Sequence, residues 1–420
     1  MFSNLKQLFN RSNKDLRKRI YFTLFCLGIF AFGSTITINV PAIQNVFEEL
    51  EFLQIFNLMA GGGLKNFSIF ALGVSPYITA QIITQLLQMD VIPYFKELKE
   101  QGYTGKQKIN KITRYIGVLF SFIQAYVFTV MYAGTTDVLT LVKATIVITA
   151  GTSLLLWIGD QITKKGIGNG LSLLIMAGII QSMPQIFTAA FTELTGLAES
   201  KVLGGAIFAS FVIVYLLIIV GMVWIQLAER RIPIQYANRT NSAYGKQQNF
   251  LPIKINSAGV MPVIFATTLL AIPATIINLV GSQAAKDFST NYLTNTTPVG
   301  FVIYVALILF FGYFYTFLQM NPEEMSKNLS KSGAYIPGVR PGNDTIDYVS
   351  NVLSKLTIVG SIFLVIIAGL PIVFSGISGL DPSITIGGTG LLIVVGVAIE
   401  TYKQLESSLI SRSHRAGIKR

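Results

Sequence analysis

Histidine and cysteine each occur once in this chain of 420 residues, His414 in a basic C-terminal tail and Cys26 inside an apolar run. Structural zinc needs several such ligands at short spacing, and a disulfide within the chain needs two cysteines, so neither is expected. Proteolysis inside a membrane would want a buried base beside a serine, or two facing aspartates. The one histidine sits in the tail, and only Asp160 lies close to an apolar run. Lys165-Gly166-Ile167-Gly168-Asn169-Gly170 looks like a phosphate-binding glycine loop, yet no βαβ unit surrounds it and no acid is placed for a ribose. It reads instead as a tight turn that lets two helices approach closely, since glycine accepts the positive φ such turns need. No catalytic residue, metal site or cofactor is expected.

A different kind of chemistry is written in Phe56-Asn57-Leu58-Met59-Ala60-Gly61-Gly62-Gly63-Leu64. Three consecutive glycines weaken a helix by about 1 kcal/mol each relative to alanine. A lipid-facing loop would leave bare backbone groups in hydrocarbon, so the segment is tolerable at membrane depth only inside protein or beside water. Directly after it, residues 67–89 run uncharged and mostly apolar, with Ser75-Pro76-Tyr77 a few residues in. A short broken insert followed by a Pro-marked helix predicts a pore with something in it.

The elements that must hold this insert are legible in the composition. Hydrophobic residues make up 52% of the chain and charged ones only 12%, which marks an integral membrane protein. Uncharged runs long enough to span a bilayer lie near 20–40, 67–89, 115–133, 141–159, 170–190, 203–227, 259–281, 298–320, 353–374 and 386–402. The expected fold is therefore all-α with ten transmembrane helices. Before them, residues 1–19 alternate Phe2, Leu5, Leu8 and Phe9 with basic residues, the pattern of an amphipathic helix on the inner membrane surface.

The net charge of +12 is not a nucleic-acid signature, because the charges are sorted by loop. Lys and Arg gather on the N-terminal tail, on loops 90–114, 229–258 and 321–352, at Lys164 and Lys165, and on the tail from Lys403. The intervening loops carry few cations and several acids, among them Glu48, Glu49 and Glu51. That sorting is the positive-inside pattern and predicts both termini in the cytoplasm. None of the ten runs carries a charge near its middle, whereas ion-coupled transporters keep one there at a cost of about 2.5 kcal/mol or more. A secondary transporter for a small solute, which also uses broken helices, is the competing reading that this disfavours. Loops 229–258 and 321–352 mix Pro233, Pro252, Pro337, Gly338, Pro341 and Gly342 with apolar residues, and so predict structured, protruding loops that dock a negatively charged partner.

Seven motifs occur together in one order: Phe56–Gly62 with Ser75-Pro76-Tyr77-Ile78, Gly166–Gly170, Glu229-Arg230-Arg231-Ile232-Pro233, Asn256-Ser257-Ala258-Gly259-Val260-Met261-Pro262, Pro337-Gly338-Val339-Arg340-Pro341-Gly342 and Gly387-Gly388-Thr389-Gly390. In these the chain resembles the SecY family, central subunits of bacterial protein-conducting channels. The resemblance implies two inverted five-helix halves, 20–190 and 203–402, joined by an external hinge loop at 191–202, with 403–420 as a basic cytoplasmic tail. It implies an hourglass pore whose constriction is ringed by Val74, Ile78, Leu171, Ile175, Ile264 and Ile393, each of which alone would read as ordinary helix packing. Phe56, Asn57, Leu58, Met59, Ala60, Gly61, Gly62, Gly63 and Leu64 correspond to the plug of the outer funnel. Gly63 stands where relatives often have alanine, which predicts a less stable plug helix. A lateral gate would open between spans two and three on one side and seven and eight on the other.

The function implied is passage of unfolded secretory proteins across the bacterial cell membrane and lateral release of transmembrane segments into lipid. The implied partners are the small membrane subunits SecE and SecG, the SecA motor ATPase, the ribosome, signal sequences with their nascent chains, and membrane lipids. Arg230, Arg231, Arg239, Lys246 and Arg340 would contact motor or ribosome. A dedicated accessory channel that exports few substrates would share all these motifs.

Overall fold

A computed structural model of the chain describes residues 14–39, 57–88, 92–132, 137–196, 201–236, 249–280, 282–294, 297–378 and 382–417. Ten helices cover the ten apolar runs: α1 (Lys14–Gly33), α2 (Ser75–Leu87), α4 (Tyr103–Tyr132), α5 (Val138–Lys165), α6 (Gly170–Gly196), α7 (Lys201–Leu227), α8 (Met261–Val280), α10 (Pro298–Gln319), α12 (Asn343–Ser378) and α13 (Pro382–Gly417). Three shorter ones, α3 (Pro93–Glu100), α9 (Gln283–Tyr292) and α11 (Pro322–Lys331), lie between them. By length and composition alone, α4, α5, α6, α7, α10 and α12 suffice to cross a membrane.

Several helices run past the expected span limits. Hydropathy marks where lipid stops, but the i→i−4 ladder continues as long as side chains permit it. Thus α12 starts ten residues before the expected 353, and α13 runs on through much of the basic tail. The expected hinge loop 191–202 is largely helix, with α6 ending at Gly196 and α7 beginning at Lys201. The N-terminal residues 1–13 lie outside the described part, and 14–19 belong to the helix of the first span.

The second span departs the other way. Its helix starts at Ser75 rather than 67, with Pro76 in the first turn, where a missing N–H is harmless. Thirteen residues of helix rise only about 20 Å, less than the roughly 30 Å of hydrocarbon. Residues 57–74 make up the depth as one helical turn followed by tight turns, and most of them are buried. Non-helical backbone at membrane depth is thus shielded by protein, as the glycine run demanded.

Helix packing repeats in the two halves. In the first, α2, α4, α5 and α6 pack in series, with α1 against α5 and α6. In the second, α8, α10, α12 and α13 pack in series, with α7 against α13. Five spans reverse the direction of the chain, so the second set of five runs upside down relative to the first. The halves meet where α2 touches α8 and where α6 touches α13 and α7.

On the other side of the helix layer from residues 57–74, β1 (Glu229–Tyr236), β2 (Asn249–Lys254) and β3 (Ala334–Tyr335) form a sheet in the order β2-β1-β3. β1 pairs antiparallel with β2 from Glu229↔Lys254 to Ile234↔Asn249, and with β3 through Gln235↔Tyr335. Ile232, Ile253, Leu329, Ala334, Ile336, Val349 and Leu353 bury one another beneath the sheet. The described parts of the two long basic loops therefore form one folded body with its own core, packed against the start of α12.

Candidate channel gate and plug seat

The glycine-rich segment from Asn57 folds on itself first. The Asn57 carbonyl accepts from Gly62 N at 2.8 Å, and its side-chain Oδ1 accepts from Lys65 N at 2.8 Å. Gly61 and Gly62 have φ of +67° and +79°, a region that a side chain would strain. The segment is then tied to the ends of its neighbours. Ile38 N donates to the Phe67 carbonyl at 2.9 Å, and Ile69 N donates to the Ile36 carbonyl at 3.0 Å. Phe67 stacks on Tyr132 at a centroid distance of 4.5 Å, and the Tyr132 hydroxyl donates to the Lys65 carbonyl at 3.1 Å.

Gly63 does not lie in a helix. A Cβ there would stand 2.6 Å from Ser68 Oγ and 2.9 Å from the Ala60 carbonyl oxygen. The expectation that Gly63 weakens a plug helix is corrected on that ground: the residue sits in a turn too tight for a methyl group.

Glycines on the surrounding helices let the segment lie directly on them. A Cβ on Gly178 of α6 would meet the Met59 carbonyl oxygen at 2.4 Å, and one on Gly390 of α13 would meet Leu58 Cδ2 at 3.0 Å. Ser182 Oγ, on the next turn of α6, points at the Leu58 carbonyl at 3.5 Å. Leu58, Met59, Ala60 and Leu64 are buried, while Phe56 lies outside the described residues.

The six aliphatic residues of the expected ring come from four helices. Val74 caps α2 and Ile78 sits one turn on; Leu171 and Ile175 are one turn apart on α6; Ile264 is on α8 and Ile393 on α13. Val74, Ile78, Ile175, Ile264 and Ile393 are only 2–7% exposed and belong to one contiguous apolar cluster, with Leu171 packed against it. Leu58 and Met59 of the insert belong to the same cluster. Five of the six are therefore buried among apolar side chains in this structure, and Leu171 is partly buried beside them.

The turn Gly166–Gly170 does what its glycines predicted. Gly168 has φ +81°, and a Cβ on Gly170 would stand 1.9 Å from the Gly159 carbonyl oxygen, so α5 and α6 touch backbone to backbone. In the basic body, Arg230, Arg231 and Arg340 are exposed, and Arg231 Nε pairs with Glu229 Oε1 at 2.9 Å. Val339 N donates to the Ile336 carbonyl at 3.1 Å across Pro337 and Gly338, the latter at φ +82°, which makes a type II turn ahead of Arg340. Arg239 and Lys246 lie outside the described residues.

Residues 68–402 match the family model described as SecY. This chain belongs to the SecY family. Among its SecY relatives, the protein translocase subunit SecY of Bacillus subtilis (strain 168) is 46% identical over 419 residues, covering 96% of this chain and 97% of that one. The subunit of the same name from Staphylococcus aureus (strain NCTC 8325 / PS 47) is 43% identical over 420 residues, covering 96% of each. The solved structure described as "The structure of a protein conducting channel" aligns at a TM-score of 0.69 with 22% identity, covering 96% of this chain and 94% of that one. Sec61 in the canine ribosome-channel complex aligns at 0.66 with 21% identity, with the same coverage. These last two likenesses show the SecY fold.

Two features escaped the sequence reading of this SecY chain. Arg114 of α4 forms an ion pair with Asp160 of α5, two residues counted separately as loop charge and span end. On α6, Gln181, Ser182 and Gln185 put a polar patch beside the plug segment inside an otherwise apolar run. The run of polar residues in a span was the available signal, and periodicity could not say what faced it.

Proposed function

We propose that this chain is the pore-forming subunit of a protein-conducting channel in a bacterial cell membrane, with both termini in the cytoplasm. Unfolded secretory chains pass through its centre, and transmembrane segments leave sideways between α2 and α8. The observation that carries this reading is that Val74, Ile78, Ile175, Ile264 and Ile393, from α2, α6, α8 and α13, share one large apolar cluster with Leu58 and Met59, with Leu171 packed against it. Once the plug moves out, an aliphatic constriction offers water no hydrogen bonds and resists ions by dewetting. It also grips no particular sequence, so an extended chain slides through.

Sorting at the seam follows from partition. A Leu-rich segment gains about 25 cal/mol per Å² of apolar surface on leaving water, whereas a polar segment gains nothing and crosses. The chain is not an enzyme in this reading. Work comes from a bound ribosome or from the SecA motor, docked on the basic body through Arg230, Arg231, Arg239, Lys246 and Arg340. SecE and SecG complete the membrane assembly.

The test replaces Ile78 and Ile264 together with Asn. Ion conductance of the reconstituted channel should rise, and precursors with weakened signal sequences should be exported more readily. Unchanged leak and unchanged stringency would remove the ring assignment.

A further inference from the structure

Gln181 stands on α6 where that helix faces the plug. Its Nε2 donates to Ser34 Oγ, just past the end of α1, at 2.8 Å. Ser34 is 1% exposed, and its own hydroxyl donates to the Ala31 carbonyl at 2.8 Å. With that proton committed, Ser34 can only accept from its neighbour, so the amide NH₂ of Gln181 faces it and the amide oxygen turns away. The other side is the plug: Gln181 Oε1 lies 2.9 Å from where a Cβ on Gly61 would stand. That oxygen is buried and has no hydrogen-bond partner among the described residues. The amides of the adjacent plug turn are already used, Gly61 N on the Leu58 carbonyl at 3.2 Å and Gly62 N on the Asn57 carbonyl at 2.8 Å.

We propose that Gln181 is a positioning residue that keeps the seated plug releasable, because its carbonyl loses water without gaining a partner only while the plug lies over it. The inference rests on the reading of residues 56–64 as the plug. An acceptor buried without a donor is costly, and the cost is specific to the seated state. It opposes the apolar packing of Leu58 and Met59 and holds the seated and displaced states within reach of a signal sequence. When the plug leaves, Oε1 is hydrated and the bond to Ser34 is unaffected.

The test uses the full channel with its small subunits in planar bilayers, and export of a reporter precursor carrying a weakened signal sequence. Gln181→Met keeps the length and removes the acceptor. It should cut the frequency of ion-conducting openings about tenfold and slow export of the weak precursor, while a precursor with a strong signal is exported normally. Gln181→Glu makes the burial more costly and should do the opposite on both readouts. A general packing defect would move the two variants in the same direction. Deletion of residues 57–65 should raise the leak and erase the difference between the Met and Glu variants. If the deletion leaves the leak unchanged, the plug reading itself fails. If the deletion raises the leak but Gln181→Met raises it too, or the two Gln181 variants shift together, the role of Gln181 alone is overturned.

Discussion

Single atoms decide much of how this bundle closes. At Gly170 there is no room for a methyl group against the Gly159 carbonyl, and the obstruction is backbone rather than a side chain that could swing away. Gly170→Ala should therefore part α5 from α6 and destabilise the purified channel by roughly 1–3 kcal/mol, the range for overpacking. Thermal unfolding in detergent checks this. Gly28→Ala, where a Cβ would meet nothing within 4 Å, should leave the midpoint where it is. Capping works at the same scale: Asp137 accepts from Thr140 Oγ1 at 2.6 Å and from the amides of Leu139 and Thr140 at the start of α5. Those bonds, the one from the Thr140 hydroxyl first, hold its carboxyl below the ordinary aspartate range.

Among the elements, the basic body shows how two distant loops become one surface. β1 and β3 are about a hundred residues apart in sequence, yet their pairing and the shared core under them fix Arg340 relative to Arg230 and Arg231. The Pro337-Gly338 turn presents Arg340 with its side chain exposed, while its carbonyl takes a hydrogen bond from Thr345 Oγ1 at 2.8 Å. Among the described residues it is the backbone of Arg340 that serves the fold, so Arg340→Glu should leave the channel assembled. It should nevertheless stop ATP-driven export into inverted vesicles. Normal export by that variant would separate this turn from the motor.

Across the whole molecule, the two inverted halves are joined at α6–α7 and α6–α13 on one side and touch as α2–α8 on the other. In the proposed function the second seam opens to lipid while the chain connection at the first stays intact. Cysteine pairs scanned along facing turns of α2 and α8, in a Cys26→Ser background, should yield cross-links that block release of membrane segments. Reduction should restore release, measured as partitioning of a reporter helix into bilayer. Cross-links that leave release untouched would move the gate elsewhere.

The order and number of spans and the broken character of the glycine run were readable from residues 1–420, because hydrophobicity and backbone freedom are properties of local sequence. The close approach at Gly166–Gly170 was readable for the same reason. What Gly63 or Gln181 touches was not, since each contact depends on residues from another helix or another turn. Helices run past the span limits at 191–202 and 353 because hydropathy reports the membrane boundary and the hydrogen-bond ladder does not stop there, whereas the glycine-rich insert delays the second helix from 67 to Ser75. Five of the six aliphatics share one large apolar cluster with Leu58 and Met59, and Leu171 packs against it, only because helices distant in sequence meet. That convergence is long-range packing, and only the tertiary structure decides it.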